Sequence, residues 1–185
     1  MTEIIDVLGQ LRVRESSFEL IQPSKVVRSR GRFVEAVSEP FSYWKADFQM
    51  PQMTELDYGK FLSLTNKVRV GRSFFRAYKT NRKRPLAMDT GVPLSGIRAS
   101  GGGFDGTATI ASISDPKQIT VSGLPGQFQI TEGDMVELSM SSDTVSLHEI
   151  GADAVANSSG VITLQLNNPI FTSVFTAAAV ANFER

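Results

Sequence analysis

From Thr107 onward the chain is a series of short segments, spaced by about ten residues. These segments are rich in β-branched residues, and apolar and polar residues alternate along them. This regular spacing constrains the fold more than any other feature. The segments are TATIASI, QITVSGL, QFQI, DMVELSM, TVSLHEI and VITLQLN, and DP, LPG, EGD, SSD and NSSG separate them. Strands divided by turns predict a small antiparallel β-barrel or sandwich over residues 107–185, with one or two last strands ending at Phe183.

The first 85 residues predict an α+β module instead. IIDVLGQL has apolar residues at positions 4, 5, 7, 8 and 11, which favours a short helix. SSFELIQ and KVVRSRGRFVEAVSE predict edge strands with a turn near Gly31. RSFFRAY predicts a further strand after Gly71.

The clearest strand of this module is FSYWKADFQMP. Alternation places Trp44, Ala46 and Phe48 on one face and Tyr43 on the other. The strand is expected to end before Pro51, because proline cannot donate a backbone hydrogen bond to a neighbouring strand.

A helix of about three turns is predicted to follow. Thr54 and Asp57 have the spacing of a capping-box variant, in which each residue satisfies a free backbone group at the helix start. Leu56, Phe61 and Leu64 then lie along the side expected to be buried.

Residues 101–106, GGGFDG, have the spelling G-x-G-x-x-G of a dinucleotide-binding turn. That turn requires a strand before it and a helix N-terminus after it. Here a proline- and glycine-rich segment precedes the glycines and a β-branched segment follows. We therefore interpret them as a hinge or hairpin loop, and divide the chain into an α+β module (1–85), a loop or linker (86–106) and a β domain (107–185).

The residue inventory predicts neither a catalytic site nor a metal or cofactor site. Cysteine is absent and His148 is the single histidine, so thiolate sites and most histidine-based sites lack a component. His148 precedes Glu149 within a predicted strand, where adjacent side chains point to opposite faces. We expect a half-buried or rim histidine and a protein that is not an enzyme. We also expect neither a signal peptide nor membrane insertion, because no long apolar run is present.

Charge is distributed unequally along the chain. Residues 1–100 carry 17 basic and 10 acidic side chains, whereas residues 101–185 carry 2 and 9. Opposite charges predict that the two modules attract each other, within one subunit or between copies. The basic run NRKRP lacks interleaved exposed aromatic residues, so we expect a solvated or subunit-facing charged surface rather than a contact with nucleic acid. The candidate interface residues are Arg82, Lys83 and Arg84 of this run, with the aromatic pair Trp44 and Phe48.

Two stretches resemble a known family. WKADFQMPQMTELDYGKFLSLTNKVRVGRSFFRAY and ITEGDMVELSMSSDTVSLHEIGADAVANSSGVITLQLNNPIF are similar to segments of distal tail and related tail-tip (baseplate) proteins of long-tailed bacteriophages and gene transfer agents. The resemblance covers about residues 42–171. It implies a structural virion protein, made in the host cytoplasm and located at the tail tip. Copies form a ring, expected to be hexameric, that joins the tail tube to the baseplate hub, with the β domain facing outward.

One alternative is a β-barrel module that recognises a host-surface carbohydrate. Such a module needs exposed aromatic platforms, and residues 107–185 offer only Phe128, Phe171, Phe175 and Phe183. A small hydrolase ranks last, because no set of residues can be named for it.

Overall fold

The computed structural model describes residues 3–6, 8, 13–28, 34–38, 42–69 and 73–184. Contacts divide the chain into two compact units, Met1–Thr80 and Asn81–Arg185. Short strands provide most of the regular structure, so the predicted mainly β fold is confirmed. Residues 86–106, predicted as a loop or linker, belong to the second unit.

The described strands of the first unit form two-stranded pairs. They are β1 (Glu3–Asp6) with β6 (Ser73–Arg76), β2 (Glu15–Ile21) with β5 (Tyr43–Gln49), and β3 (Ser24–Arg28) with β4 (Val34–Ser38). The first pair is parallel and the other two are antiparallel. A two-stranded ribbon is at best marginally stable alone in water, so these pairs depend on other surfaces to cover them.

The helix predicted over residues 4–11 is wrong at its start, because Glu3–Asp6 is strand β1. Ile4 and Ile5 pair with Phe74 and Phe75, which are 70 residues later in the chain. Branched and aromatic residues suit such a pair, but a partner this distant leaves no local sequence pattern. The remainder of the predicted helix, apart from Leu8, lies outside the described residues.

Other predictions for this unit are confirmed. Strands β2, β3 and β4 occupy the two segments predicted as strands, although the turn expected near Gly31 lies outside the described residues. Strand β5 alternates as expected, with Tyr43 exposed and Trp44, Ala46 and Phe48 half-buried.

Helix α1 (Glu55–Arg69) begins with the predicted capping interaction. The Asp57 N–H donates to the Thr54 hydroxyl (3.2 Å), which donates to the Asp57 carboxylate (2.8 Å). The helix has 15 residues, about four turns rather than three. Phe61 and Leu64 face inward, but Leu56 is 70% exposed, which corrects the predicted buried side. Five residues rotate a helix by roughly 500°, so Leu56 points about 140° away from Phe61.

The second unit contains the main sheet and three shorter elements. Its strands are β7 (Gly96–Ile97), β8 (Gly103–Phe104), β9 (Thr107–Asp115), β10 (Gln118–Ser122), β11 (Gln129–Ile130), β12 (Met135–Ser141), β13 (Thr144–Glu149), β14 (Ala154–Val155), β15 (Val161–Gln165) and β16 (Val180–Asn182). Six of them form an antiparallel sheet in the order β13-β12-β16-β9-β10-β15. β7 pairs with β8, β11 pairs with β14, and Leu86–Met88 is a 3-10 turn.

This sheet curls until its two edge strands meet at one end. Ile150 and Leu166, which follow β13 and β15, form an antiparallel bridge. The Gly151 N–H donates to the Gln165 carbonyl, and the Asn167 N–H donates to the Glu149 carbonyl, both at 2.9 Å. The result is a half-barrel, as predicted for the second module, and these bonds protect one end of each edge strand from other pairings.

A continuous apolar core fills the half-barrel. The Phe128 ring lies 5.3 Å from the ring of Phe104 and 5.8 Å from that of Phe183, centre to centre. Inward-facing residues of the strands surround these rings, including Ile119 and Leu164, which are fully buried. The predicted β segments thus supply a core of their own.

The glycine-rich segment is a hairpin connection between β7 and β8. The Arg98 N–H donates to the Gly102 carbonyl (3.0 Å), and the Gly101 N–H donates to the Arg98 carbonyl (2.8 Å). Gly101 and Gly102 have φ values of +89° and +88°, which residues with a Cβ rarely adopt. Strand β9 follows, so the hairpin interpretation is confirmed and the dinucleotide turn is excluded here.

Candidate functional site

The predicted aromatic pair lies in the first unit, on one face of β5. The Trp44 ring is 5.4 Å from the ring of Phe18 on the neighbouring strand β2. Phe48 lies opposite Ser16 on the same face, and both aromatic side chains are half-buried. This ribbon face is therefore apolar but incompletely covered.

The predicted basic run belongs to the second unit, where Arg82 forms an ion pair. Its Nη1 donates to Oδ1 of Asp134 at 2.7 Å, and the Asp134 side chain is fully buried. The same oxygen accepts the Leu86 N–H (3.1 Å), while Oδ2 accepts the Thr131 N–H (2.7 Å). Asp134 thereby joins residues 82–86 to the turn that precedes β12.

Arg84 forms a second pair near the end of the chain. Its Nε donates to Oε1 of Glu184 at 2.8 Å, and Nη1 lies 3.4 Å from Oδ1 of Asp89. The other oxygen of Glu184 accepts the Leu94 N–H at 2.8 Å. Lys83, between the two arginines, is exposed.

Arg98 contacts several parts of the same segment. It donates to the carbonyls of Gly103 (3.0 Å) and Gly123 (2.8 Å) and to Asp105 (3.0 Å), and its guanidinium lies 5.5 Å from the centre of the Phe104 ring. The side-chain and backbone hydrogen bonds from Thr107, with the charge of Arg98 adding to them, lower the pKa of Asp105.

The predicted interface residues therefore do not converge on one site within a unit. Two lie on the β2–β5 ribbon, and two of the three basic residues hold residues 81–106 on the half-barrel. Sequence reasoning missed Asp134 and Glu184 as anchors. Gly133 before Asp134 indicated a turn, but nothing in the sequence connected that turn with Arg82, 52 residues earlier. The role of the five residues in an interface remains a prediction.

His148 is fully buried in β13, and not half-buried or at a rim as predicted. Its Nδ1 lies 3.1 Å from the Asn168 carbonyl oxygen, so a neutral ring donates from Nδ1. Burial lowers the pKa of His148 to about 4, since the core disfavours the charged ring. Glu149 points to the other face, as predicted, and its Oε1 accepts from the side-chain amide of Asn167 (3.1 Å). This environment is that of a neutral core residue.

Within the described residues, no group of three or more histidine, aspartate or glutamate side chains is placed to hold a metal ion. No helix in the same residues has both the length and the apolar character needed to cross a membrane.

The aromatic residues of the β domain lie mostly in its core. Phe128, Phe175 and Phe183 are buried, and Phe171 is 44% exposed. Carbohydrate-binding platforms require exposed ring faces, so three of the four phenylalanines that the carbohydrate alternative depended on cannot serve.

Few of the described side chains of the first unit are buried. Leu64 is the one described side chain of residues 1–80 that is buried, and it packs against Met50, Phe61 and Val68. In contrast, the second unit has a large core. On the first unit, Leu56 and Tyr58 of α1 are exposed by more than half. Helix α1 therefore carries exposed apolar surface.

One side of α1 is exposed and carries a charge only at its N-terminal end, at Glu55. We call it the outer side of α1; it consists of Glu55, Leu56, Gly59, Leu62, Ser63 and Asn66. It lies opposite the buried side of Phe61 and Leu64.

The convex surface of the half-barrel is uncharged over two rows of residues. We call these rows the outer sheet face. One row crosses all six strands as Val145, Ser139, Val180, Thr109, Ser122 and Val161, and the other consists of Ser112, Thr120 and Thr163. All nine side chains are exposed or half-buried.

The chain matches no protein-family model, and no curated protein sequence is significantly similar to it.

Proposed function

We propose that this chain is a structural protein of a phage-like tail. Its copies form an oligomeric ring, expected to be hexameric, at the distal end of the tail, where the ring joins the tail tube to the baseplate hub. The location in a virion tail is supported by the sequence resemblance over about residues 42–171.

One structural observation carries the assembly part of this proposal. The described strands of the first unit form two-stranded ribbons beside α1, and Leu64 is the one described side chain of this unit that is buried. A two-stranded ribbon is at best marginally stable alone in water. Contacts with other copies or with neighbouring tail proteins would cover the apolar faces of α1 and of the β2–β5 ribbon. A subunit that completes its fold by assembly suits a ring.

A cyclic ring also requires two different faces on each copy, because head-to-tail contacts close the circle. The two units provide unlike faces, since residues 1–80 carry 13 basic and 9 acidic side chains and residues 81–185 carry 6 and 10. This difference supports contacts between unlike units of adjacent copies.

Light scattering of the purified chain tests the proposal directly. A hexamer of the 20.2 kDa chain has a mass of about 120 kDa. We expect a particle of this size, or a concentration-dependent equilibrium toward it, at low salt, and ring-shaped particles by electron microscopy. A chain that stays monomeric at every concentration and salt would contradict self-assembly.

Urea unfolding followed by tryptophan fluorescence provides an independent test. Trp44 is the single tryptophan and lies in the first unit, so its signal follows that unit. If assembly stabilises the first unit, a tenfold increase in concentration should raise its stability by about 1 kcal/mol per chain. Hydrogen exchange in the core of the second unit should change less and serves as the internal control.

A further inference from the structure

We propose that the outer side of α1 of one copy docks on the outer sheet face of the next copy. This inference rests on the proposed ring and adds the two surfaces that meet in it. Helix against sheet is one of the standard ways in which proteins bury apolar surface.

The outer side of α1 has the shape that close docking needs. Gly59 and Ser63 lie one turn apart in its centre, and no atom lies within 4 Å of where a Cβ on Gly59 would be. Small residues at this position admit the close approach of another backbone. Leu56 and Leu62, exposed by 70% and 42%, flank this centre and supply the apolar area.

The outer sheet face shares one feature with interface centres, the lack of charged side chains. Protein surfaces usually carry charges of both signs, and interface centres are depleted of them. The row from Val145 to Val161 contains only serine, threonine and valine, with Val145 and Val180 about 40% exposed. The Thr120 and Thr163 hydroxyls lie 3.3 Å apart and bond to each other, which lowers their demand for water.

Charges at the margins of the two surfaces are complementary. β9 and β12 both run antiparallel to β16, so their C-terminal ends lie at the same end of the sheet. Asp115 and Asp143 are at this end and are exposed, with Lys117 nearby. Lys67 and Arg69 lie in the last turn of α1. We infer that the C-terminal end of α1 lies over the end of the sheet that carries the two aspartates.

The area of this contact fits a ring better than an isolated dimer. A 15-residue helix is about 22 Å long and about 10 Å wide, so its footprint on the sheet is roughly 220 Å². A stable pairwise interface buries about 800 Å² on each partner. The contact would thus be weak by itself and would gain strength when several copies close a ring.

Chemical cross-linking tests the contact, because the chain has no cysteine of its own. The variants Ser63→Cys on α1 and Thr163→Cys on the sheet are mixed and treated with a short bis-maleimide cross-linker. Mixing the two separate variants ensures that any 63–163 link joins different copies. Ser158→Cys is the matched control, since Ser158 is likewise exposed and lies in the loop before β15.

We expect the 63–163 product to exceed the 63–158 product by at least about tenfold, because a short linker joins only residues held near each other. Light scattering of the same mixtures separates the two proposals. An oligomer that gives no 63–163 link, or mainly 63–63 links, would overturn this docking but leave the ring. A monomer without links would overturn both. Far-UV circular dichroism confirms that each variant is folded.

Discussion

Asp134→Ala should destabilise the second unit by about 1.5–3 kcal/mol, the range for hydrogen bonds to a charged group. The fully buried carboxylate accepts hydrogen bonds from Arg82 (2.7 Å), the Leu86 N–H (3.1 Å) and the Thr131 N–H (2.7 Å). Alanine leaves all three donors without this acceptor, and an unpaired buried donor costs about 1–3 kcal/mol.

Hydrogen exchange with mass spectrometry is the appropriate assay. All the tryptophan and tyrosine residues lie in the first unit, so intrinsic fluorescence does not follow the second. Amides of β12 and β13 should lose protection as the free energy of global opening of the unit falls. Far-UV circular dichroism in urea provides the corresponding change in midpoint.

Glu132→Ala is the matched control, because Glu132 lies in the same turn but is exposed, and its change should stay within about 0.5 kcal/mol. The loss of stability in Asp134→Asn should fall between those of Asp134→Ala and Glu132→Ala. Asparagine keeps one acceptor oxygen, but its amide group is a donor that would face other donors. If Asp134→Ala behaved like Glu132→Ala, the reasoning from the three hydrogen bonds would be refuted.

Three further predictions concern other elements. Gly160→Ala should destabilise the second unit by about 2–4 kcal/mol in urea, because its Cβ would lie 2.1 Å from the Leu124 carbonyl oxygen at a φ of +71°. For His148, the folded pKa of about 4 lies below the unfolded value of 6.5, so the unfolded chain binds more protons between these values. The free energy of unfolding, measured in urea, should have its full value above pH 7 and should fall by about 3 kcal/mol as the pH drops through this window. Thr54→Ala should lower the stability of the first unit by about 1 kcal/mol, followed by Trp44 fluorescence, because it removes the N-cap.

Each of these has its own control. Gly126→Ala should be nearly neutral, since its Cβ would meet the nearest atom at 3.5 Å and its φ is not positive. The His148 ring can be titrated by NMR without ambiguity, because it is the single histidine, and an apparent pKa above 6 in the folded protein would contradict the burial argument. Thr54→Ser keeps the capping oxygen and should retain most of the stability.

The sequence was sufficient to predict those elements whose physical cause is local. Alternation along residues 43–49 and the capping pair Thr54 and Asp57 predicted β5 and the start of α1. Turn residues at regular spacing predicted the strands of the half-barrel. In each case, the hydrogen bonds or the side-chain alternation that define the element involve residues a few positions apart.

The sequence was insufficient to predict features whose cause lies in residues far apart along the chain. β1 forms because Ile4 and Ile5 meet a strand 70 residues later, and that pairing overrides a weak helical pattern. The length of the apolar stripe on α1 was overestimated because Leu56 fits the composition of a buried side but not its rotation. The burial of His148 likewise depends on Asn168, which lies on the segment after β15.

The charges illustrate the same point and change what we expect of the assembly. Dividing the sequence at Ser100 suggested modules with net charges of +7 and −7, whereas the two units carry +4 and −4. The difference arises because Arg82, Lys83, Arg84 and Arg98, with Asp89, belong to the second unit. There the three arginines pair with Asp134, Glu184 and Asp105. These arginines neutralise acids of their own unit, so less charge remains to attract a neighbouring copy. Screening at about 0.15 M salt weakens attraction between exposed charges but not burial of apolar surface. If the apolar faces of the first unit hold the ring together, moderate salt should reduce its assembly only slightly.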